Sequence, residues 1–73
     1  MIEGMVARLE SRLATEGGTT EEWARLIRAY GVLGRPEDAG RIWADAEETF
    51  ADAPEALATL RAAAREAGAE GVE

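Results

Sequence analysis

Apolar residues recur every three or four positions in four segments of this 73-residue chain. That spacing places the apolar side chains of each segment on one face of an α-helix. Gly17-Gly18 separates the first segment from the second, Gly34 and Pro36 follow the second, and Pro54 follows the third. The apolar faces comprise Ile2, Met5, Val6, Leu9 and Leu13; Trp23, Leu26, Ile27, Tyr30 and Leu33; Ala39, Ile42, Trp43, Ala46 and Phe50; and Leu57, Leu60 and Ala64. With no strand pattern beside them, these segments predict an all-α fold with four helices.

Residues with strong capping preferences predict where the helices begin and end. Thr20 is a good N-cap for the second helix, because its side chain can accept a hydrogen bond from a free backbone N–H. Pro36 suits the start of the third helix, since its φ angle is fixed near the helical value. We expect Asp52 to cap the fourth helix, with Pro54 in the first turn, and Gly68 to end it. The linkers are short, so consecutive helices should be antiparallel neighbours.

The composition excludes several kinds of site. Cysteine and histidine are absent, so the chain has no disulfide, no thiolate or imidazole metal ligand and no histidine base. The fifteen acidic residues are spread over helix faces and ends, and adjacent pairs such as Glu47-Glu48 diverge around a helix. We therefore expect no enzymatic activity, no cofactor and no metal ion.

Net charge and hydropathy restrict the kinds of partner. The formal net charge is −7. Affinity for nucleic acid rests largely on Lys and Arg contacts to phosphate, so this negative charge disfavours a nucleic-acid partner. A helix-turn-helix DNA reader, the other small all-helical option, is disfavoured for the same reason. No run of 18 or more apolar residues occurs, so we expect these residues to make no membrane contact. A protein partner is the remaining class.

The second and third segments resemble one tetratricopeptide repeat. Trp23, Leu26 and Tyr30 have the spacing of the large residues in the first helix of that repeat. Ala39 and Trp43 have the spacing of the small and aromatic residues in its second helix. Periodic apolar faces usually pack inside a domain, so we expect the large residues to lie inside the hairpin rather than to contact a ligand.

The 34-residue period of this repeat extends to both ends of the chain. A shift by one period superimposes Met5 and Leu9 on Ala39 and Trp43, and Leu57, Leu60 and Ala64 on Trp23, Leu26 and Tyr30. We therefore expect antiparallel helical hairpins, with one full repeat flanked by one helix on each side. The predicted domain covers residues 1–69, and a disordered tail covers residues 70–73.

Several features together resemble the C-terminal region of CycH-type c-type cytochrome biogenesis proteins. They are the opening MIEGMV, the Gly17-Gly18 pair, the segment WARLIRAYGVLGR, and Phe50-Ala51-Asp52 with Pro54, within a resemblance over residues 1–67. The resemblance implies a domain on the periplasmic side of the bacterial inner membrane, in a membrane-anchored protein. It also implies a chaperone that binds the C-terminal helix of apocytochrome c, the haem-ligation complex, or both. The alternative is a generic repeat scaffold for an unrelated protein partner.

Candidate contact residues follow from the geometry of stacked hairpins, in which the first helix of each unit lines the concave side. The candidates beside its packing face are Glu21, Ala24, Arg28 and Val32 in the second helix, and Glu55, Ala58, Ala62 and Glu66, with Arg65 beside them, in the fourth. Arg28 and Arg65 suit a carboxylate, because the guanidinium group can form two parallel hydrogen bonds with it. The alternative for both arginines is ordinary solvation or ion pairing within the helix.

The first helix offers a second surface. Its apolar face has only one covalent neighbour to cover it, and it lacks the polar outer face typical of a capping repeat. We therefore expect the chain either to close into a compact four-helix domain or to form a homodimer through this face.

Overall fold

A computed structural model describes residues 2–72, with side chains from residue 4 onward. It contains four α-helices in the order α1 Ile2–Glu16, α2 Thr20–Val32, α3 Pro36–Thr49 and α4 Pro54–Glu66. No strand occurs in this part of the chain. The predicted all-α fold with four helices is confirmed. The place of Ile2 in the apolar face of α1 lies outside the described side chains.

Helix α2 is the centre of the domain. It packs against α1, α3 and α4, and α3 also packs against α4. Trp23 and Tyr30 are only 6% and 5% exposed, and Leu26 and Ile27 are fully buried. The ring of Trp23 meets Phe50 edge to face, with centroids 5.9 Å apart. The predicted interior position of the four α2 residues is confirmed, so they are packing residues rather than a ligand surface.

Small residues allow α2 and α4 to approach each other closely. A Cβ atom on Gly31 would lie 2.7 Å from both Cα and Cβ of Ala67. Ala24 in α2 and Ala63 and Ala64 in α4 are almost completely buried. Larger side chains at these positions would force the two backbones apart, because protein interiors have little free volume.

The N-terminal caps differ from the prediction in two places. Thr19, not Thr20, caps α2: its side chain accepts from the Glu22 N–H at 3.1 Å, and the Glu22 carboxylate accepts from the Thr19 N–H at 3.0 Å. This reciprocal arrangement requires a Glu three residues after the cap, which only Thr19 has. Helix α4 starts at Pro54 as predicted, but the cap position directly before it belongs to Ala53, so Asp52 makes no cap.

Gly34 turns the chain from α2 into α3. Its φ angle is 72°, in the left-handed region that glycine adopts without strain. The Arg35 N–H then donates to the Tyr30 carbonyl at 2.9 Å, which satisfies a free acceptor at the end of α2. Helix α3 begins at Pro36, as predicted.

The segment after α4 contacts α3. Ala69 is 6% exposed, and the Glu70 N–H donates to the Pro36 carbonyl at 3.1 Å. Gly40 of α3 faces the backbone of Glu70 so closely that a Cβ atom there would overlap the Glu70 carbonyl oxygen. The domain boundary at residue 69 and the disordered tail over residues 70–73 stay predictions.

Candidate protein-binding groove

An open groove runs between α2 and α4, built from three adjoining depressions of about 620, 330 and 280 Å³. The first depression is lined by Thr20, Glu21, Pro54, Glu55 and Thr59 among others. The second is lined by Glu21, Ala24, Arg25, Arg28 and Thr59. The third is lined by Arg28, Gly31, Val32, Glu66 and Ala67. Because neighbouring depressions share lining residues, they form one continuous surface, the α2–α4 groove.

All four residues predicted on α2 line this groove. Glu21 borders the first two depressions, and Arg28 lies where the second meets the third. Val32 is 84% exposed at the far end. Ala24 lies at the floor of the second depression, where only 2% of its surface is exposed. A partner could therefore contact the other three side chains directly, and Ala24 only at its edge.

Arg28 forms an ion pair across the groove. Its Nε donates to Oε1 of Glu66 in α4 at 3.2 Å, so its partner lies on another helix rather than within α2. The two side chains are 50% and 65% exposed. An exposed pair of this kind contributes about 0–1 kcal/mol. Arg28 can therefore exchange Glu66 for a carboxylate of a partner at little cost in stability.

The residues predicted on α4 fall into two groups. Glu55 and Glu66 line this groove. Ala58, Ala62 and Arg65 are exposed, but none of them lines the three depressions. Ala58 follows Ala24 by one 34-residue period, and Ala24 is covered by the contact between α2 and α4. Within residues 2–72 no further helix covers the equivalent edge of α4, so Ala58 faces solvent. The part of all these candidates in partner binding stays a prediction.

Sequence reasoning missed Thr59 and Arg25 as groove residues. Thr59 lies one helical turn after Glu55, and Glu66 lies two turns after Thr59, so these three residues share the face of α4 beside α2. Their spacing was visible in the sequence. Which face of α4 lies in the groove, this one or the adjacent face with Ala58, depends on how α4 packs against α2. The pattern of apolar residues within one helix does not give that packing.

A second polar cluster joins α1, α2 and α3. The Tyr30 hydroxyl donates to Glu10, and Nη1 of Arg41 donates to the other Glu10 carboxylate oxygen at 2.5 Å. Arg41 also donates to Asp38 at 3.3 Å. The hydrogen bond from Arg41 holds the pKa of Glu10 below its usual value, whereas burial, followed by the bond to Glu10, raises the pKa of Tyr30. Since each of these groups is paired with another, the cluster supports helix packing rather than acid–base chemistry.

A metal centre and a membrane-spanning helix are two other features that would suggest a function. From residue 2 to residue 72 no group of three or more His, Cys, Asp or Glu side chains is arranged to hold a metal ion. No helix in this range has the length and hydrophobicity needed to cross a bilayer. The open shape of the α2–α4 groove suits a polypeptide, since pockets for small molecules enclose most of the ligand surface.

Comparison with known proteins finds two relatives with the same name. Over 71 residues the chain is 37% identical to the cytochrome c-type biogenesis protein CycH of Bradyrhizobium diazoefficiens. Over 68 residues it is 40% identical to CycH of Rhizobium meliloti. These alignments cover 97% and 93% of the chain. The chain is homologous to part of the CycH-type proteins. The resemblance to this type that the sequence indicated is confirmed.

The chain spans about a fifth of the length of these CycH-type relatives, 19% of one and 18% of the other. No protein-family model and no solved structure matches the chain. Its correspondence to the C-terminal region of a CycH-type protein, its assignment to the tetratricopeptide repeats and its periplasmic location stay predictions.

Proposed function

We propose that the chain is a protein-binding module of c-type cytochrome biogenesis. The observation that carries this proposal is the similarity, over nearly the whole chain, to two proteins named for cytochrome c-type biogenesis. In the proposed role the module is a chaperone on the periplasmic side of the bacterial inner membrane. It binds the C-terminal helix of apocytochrome c, the haem-ligation complex, or both, and it catalyses no reaction.

The dimensions of the α2–α4 groove support a helical ligand. Helices of 13 residues form both walls, which corresponds to a length of about 20 Å. A ligand helix of three to four turns would match this length, and amphipathic helices commonly bind in grooves between helices. The exposed side chain of Val32 offers an apolar contact at one end of the groove.

The charges of the groove favour one orientation of such a ligand. Glu21 and Glu55 lie at the end where α2 and α4 begin, and Arg25 and Arg28 lie further along. A ligand with a basic residue near the two glutamates and a carboxylate near Arg28 would be complementary. A guanidinium group binds a carboxylate through charge-assisted hydrogen bonds, which are stronger than neutral ones.

The proposal can be tested by titrating the 73-residue chain into a fluorescently labelled peptide with the sequence of the C-terminal helix of an apocytochrome c. Loss of a charge-assisted hydrogen bond costs about 1.5–3 kcal/mol, so Arg28→Ala should weaken binding by about tenfold or more. Arg8→Ala is the matched control, because it removes one exposed arginine from α1, outside the groove. Absence of binding by the wild-type chain would contradict the proposal. Equal effects of the two substitutions would contradict the placement of the ligand in the α2–α4 groove.

A further inference from the structure

A buried hydrogen-bond donor lies in the core beside α1 and α3. Trp23 of α2 is only 6% exposed, and its Nε1 atom is buried. No atom of residues 4–72 accepts a hydrogen bond from this Nε1. A buried N–H without an acceptor is unfavourable, because it has lost its hydrogen bonds to solvent and gained none in return. The indole group of Trp23 therefore needs an acceptor from outside the polypeptide.

A small cavity adjoins Trp23 where three helices meet. Its volume is about 50 Å³. Its walls include Glu10 and Leu13 of α1, Trp23 and Leu26 of α2, and Ile42 and Asp45 of α3. A water molecule needs at least roughly 10–15 Å³, whereas pockets for small organic molecules have volumes of roughly 300–1,000 Å³. The size of the cavity therefore selects water as its ligand.

Two carboxylates in the cavity wall can accept hydrogen bonds from a water molecule. Asp45 forms no ion pair within residues 4–72, so its carboxylate is available. Oε2 of Glu10 accepts from Arg41, and a carboxylate oxygen can accept a second hydrogen bond. A buried water molecule typically makes about three hydrogen bonds. One donor on Trp23 and two acceptors, on Asp45 and Glu10, supply that number.

We propose that one water molecule is bound in this cavity as a fixed part of the domain. Its oxygen accepts a hydrogen bond from Nε1 of Trp23, and its two hydrogens are donated to Asp45 and Glu10. Within residues 2–72 the backbones of α1 and α3 do not pack closely on each other, so the water joins these two helices as well as α2. The site goes beyond the proposed cytochrome function, since its cavity shares no lining residue with the α2–α4 groove.

Nuclear magnetic resonance of the isotope-labelled 73-residue chain tests for the bound water. The water resonance should give a cross-peak with the indole N–H proton of Trp23 that has opposite signs in NOESY and ROESY spectra. Exchange of this proton with solvent would give the same sign in both spectra. Absence of the cross-peak, or a cross-peak from exchange alone, would overturn the site.

Substitutions of Asp45 test the hydrogen bonds of the water. Asp45→Ala should abolish the cross-peak, because the remaining carboxylate of Glu10 already accepts from Tyr30 and Arg41. Asp45→Asn keeps an acceptor oxygen and should retain the cross-peak. Glu48→Ala is the matched control, since it removes an exposed carboxylate of α3 outside the cavity.

Two results would overturn the part of Asp45 in this site. One is a cross-peak that survives in Asp45→Ala, and the other is equal loss of the cross-peak in Asp45→Ala and Glu48→Ala. Circular dichroism of each variant checks that the domain remains folded.

A crystal structure of the wild-type chain locates the water directly. Its oxygen should lie about 2.7–3.2 Å from Nε1 of Trp23 and within hydrogen-bond distance of Asp45. A direct hydrogen bond from Nε1 to the Asp45 carboxylate, with no water between them, would overturn the proposal. The proposed cytochrome function is tested separately, because Asp45→Ala should not change the affinity for the cytochrome peptide.

Discussion

Tyr30 combines an apolar and a polar role in one side chain. Its ring is buried beneath the guanidinium group of Arg35, 5.6 Å from the ring centroid, and its hydroxyl reaches Glu10 of α1. The burial of Tyr30 followed from the helical pattern of α2. Its hydrogen bond to Glu10 did not, because the two residues are 20 positions apart and only the packing of α1 on α2 brings them together.

This cluster predicts a specific dependence of stability on pH. The pKa of Glu10 is lowered from 4.5 in the folded chain, chiefly by Arg41, so its contribution is fully present above about pH 4.5 and is lost as pH falls through the folded pKa. Glu10→Gln should therefore lower the free energy of unfolding at pH 7 by about 1–3 kcal/mol and flatten its decline in acid. Chemical denaturation at a series of pH values measures both effects.

The control for this prediction is Glu16→Gln, which changes an exposed carboxylate of the same helix. Such a surface substitution should change the free energy of unfolding by less than about 0.5 kcal/mol. A decline in acid that is as steep in Glu10→Gln as in the wild type would show that Glu10 does not contribute through its charge.

At the scale of the element, the sequence predicted the existence of the helices better than their contacts. Glycine and proline placed the boundaries of α1, α3 and α4 well, because these residues act on the local backbone. The groove-facing side of α4 was predicted only in part. Ala58 and Ala62 were expected in the groove beside Glu55 and Glu66, and Thr59 lies there in their place. Ala58 and Thr59 are neighbours in sequence but lie on adjacent faces of α4. Only the packing of α4 against α2 decides which of the two faces the groove.

Substitution of two neighbouring threonines tests which residue caps α2. Thr19→Ala removes the side chain that accepts from the Glu22 N–H and should lower the free energy of unfolding by about 1 kcal/mol. Thr20→Ala makes the same chemical change at the first helical residue, where alanine is a better helix former, and should have little effect. Thermal and urea denaturation of the two variants make the comparison. A larger decrease in the free energy of unfolding for Thr20→Ala than for Thr19→Ala would identify Thr20 as the cap.

At the scale of the whole molecule, α2 makes the four helices depend on one another. It packs against each of the other helices, and Leu26 at its centre is fully buried. The fluorescence of Trp23 reports on the packing of α2. Trp43 lies beneath the guanidinium group of Arg61, so its fluorescence reports on the contact between α3 and α4. A domain in which each of the other helices packs against α2 should unfold as a unit.

Leu26→Ala tests this dependence. A 73-residue domain has a free energy of unfolding of about 4–11 kcal/mol, and removal of a buried leucine side chain costs about 2–5 kcal/mol. The substitution should therefore remove a large part of the total stability, whereas Val32→Ala, at an 84% exposed position, should change it by less than about 0.5 kcal/mol. Urea denaturation followed by tryptophan fluorescence and by circular dichroism should give coincident transitions for both variants. If part of the fluorescence change of Leu26→Ala occurs in a separate transition at higher urea, Trp43 remains packed after Trp23 is exposed. In that case α3 and α4 form a unit of their own, and the central role of α2 is wrong.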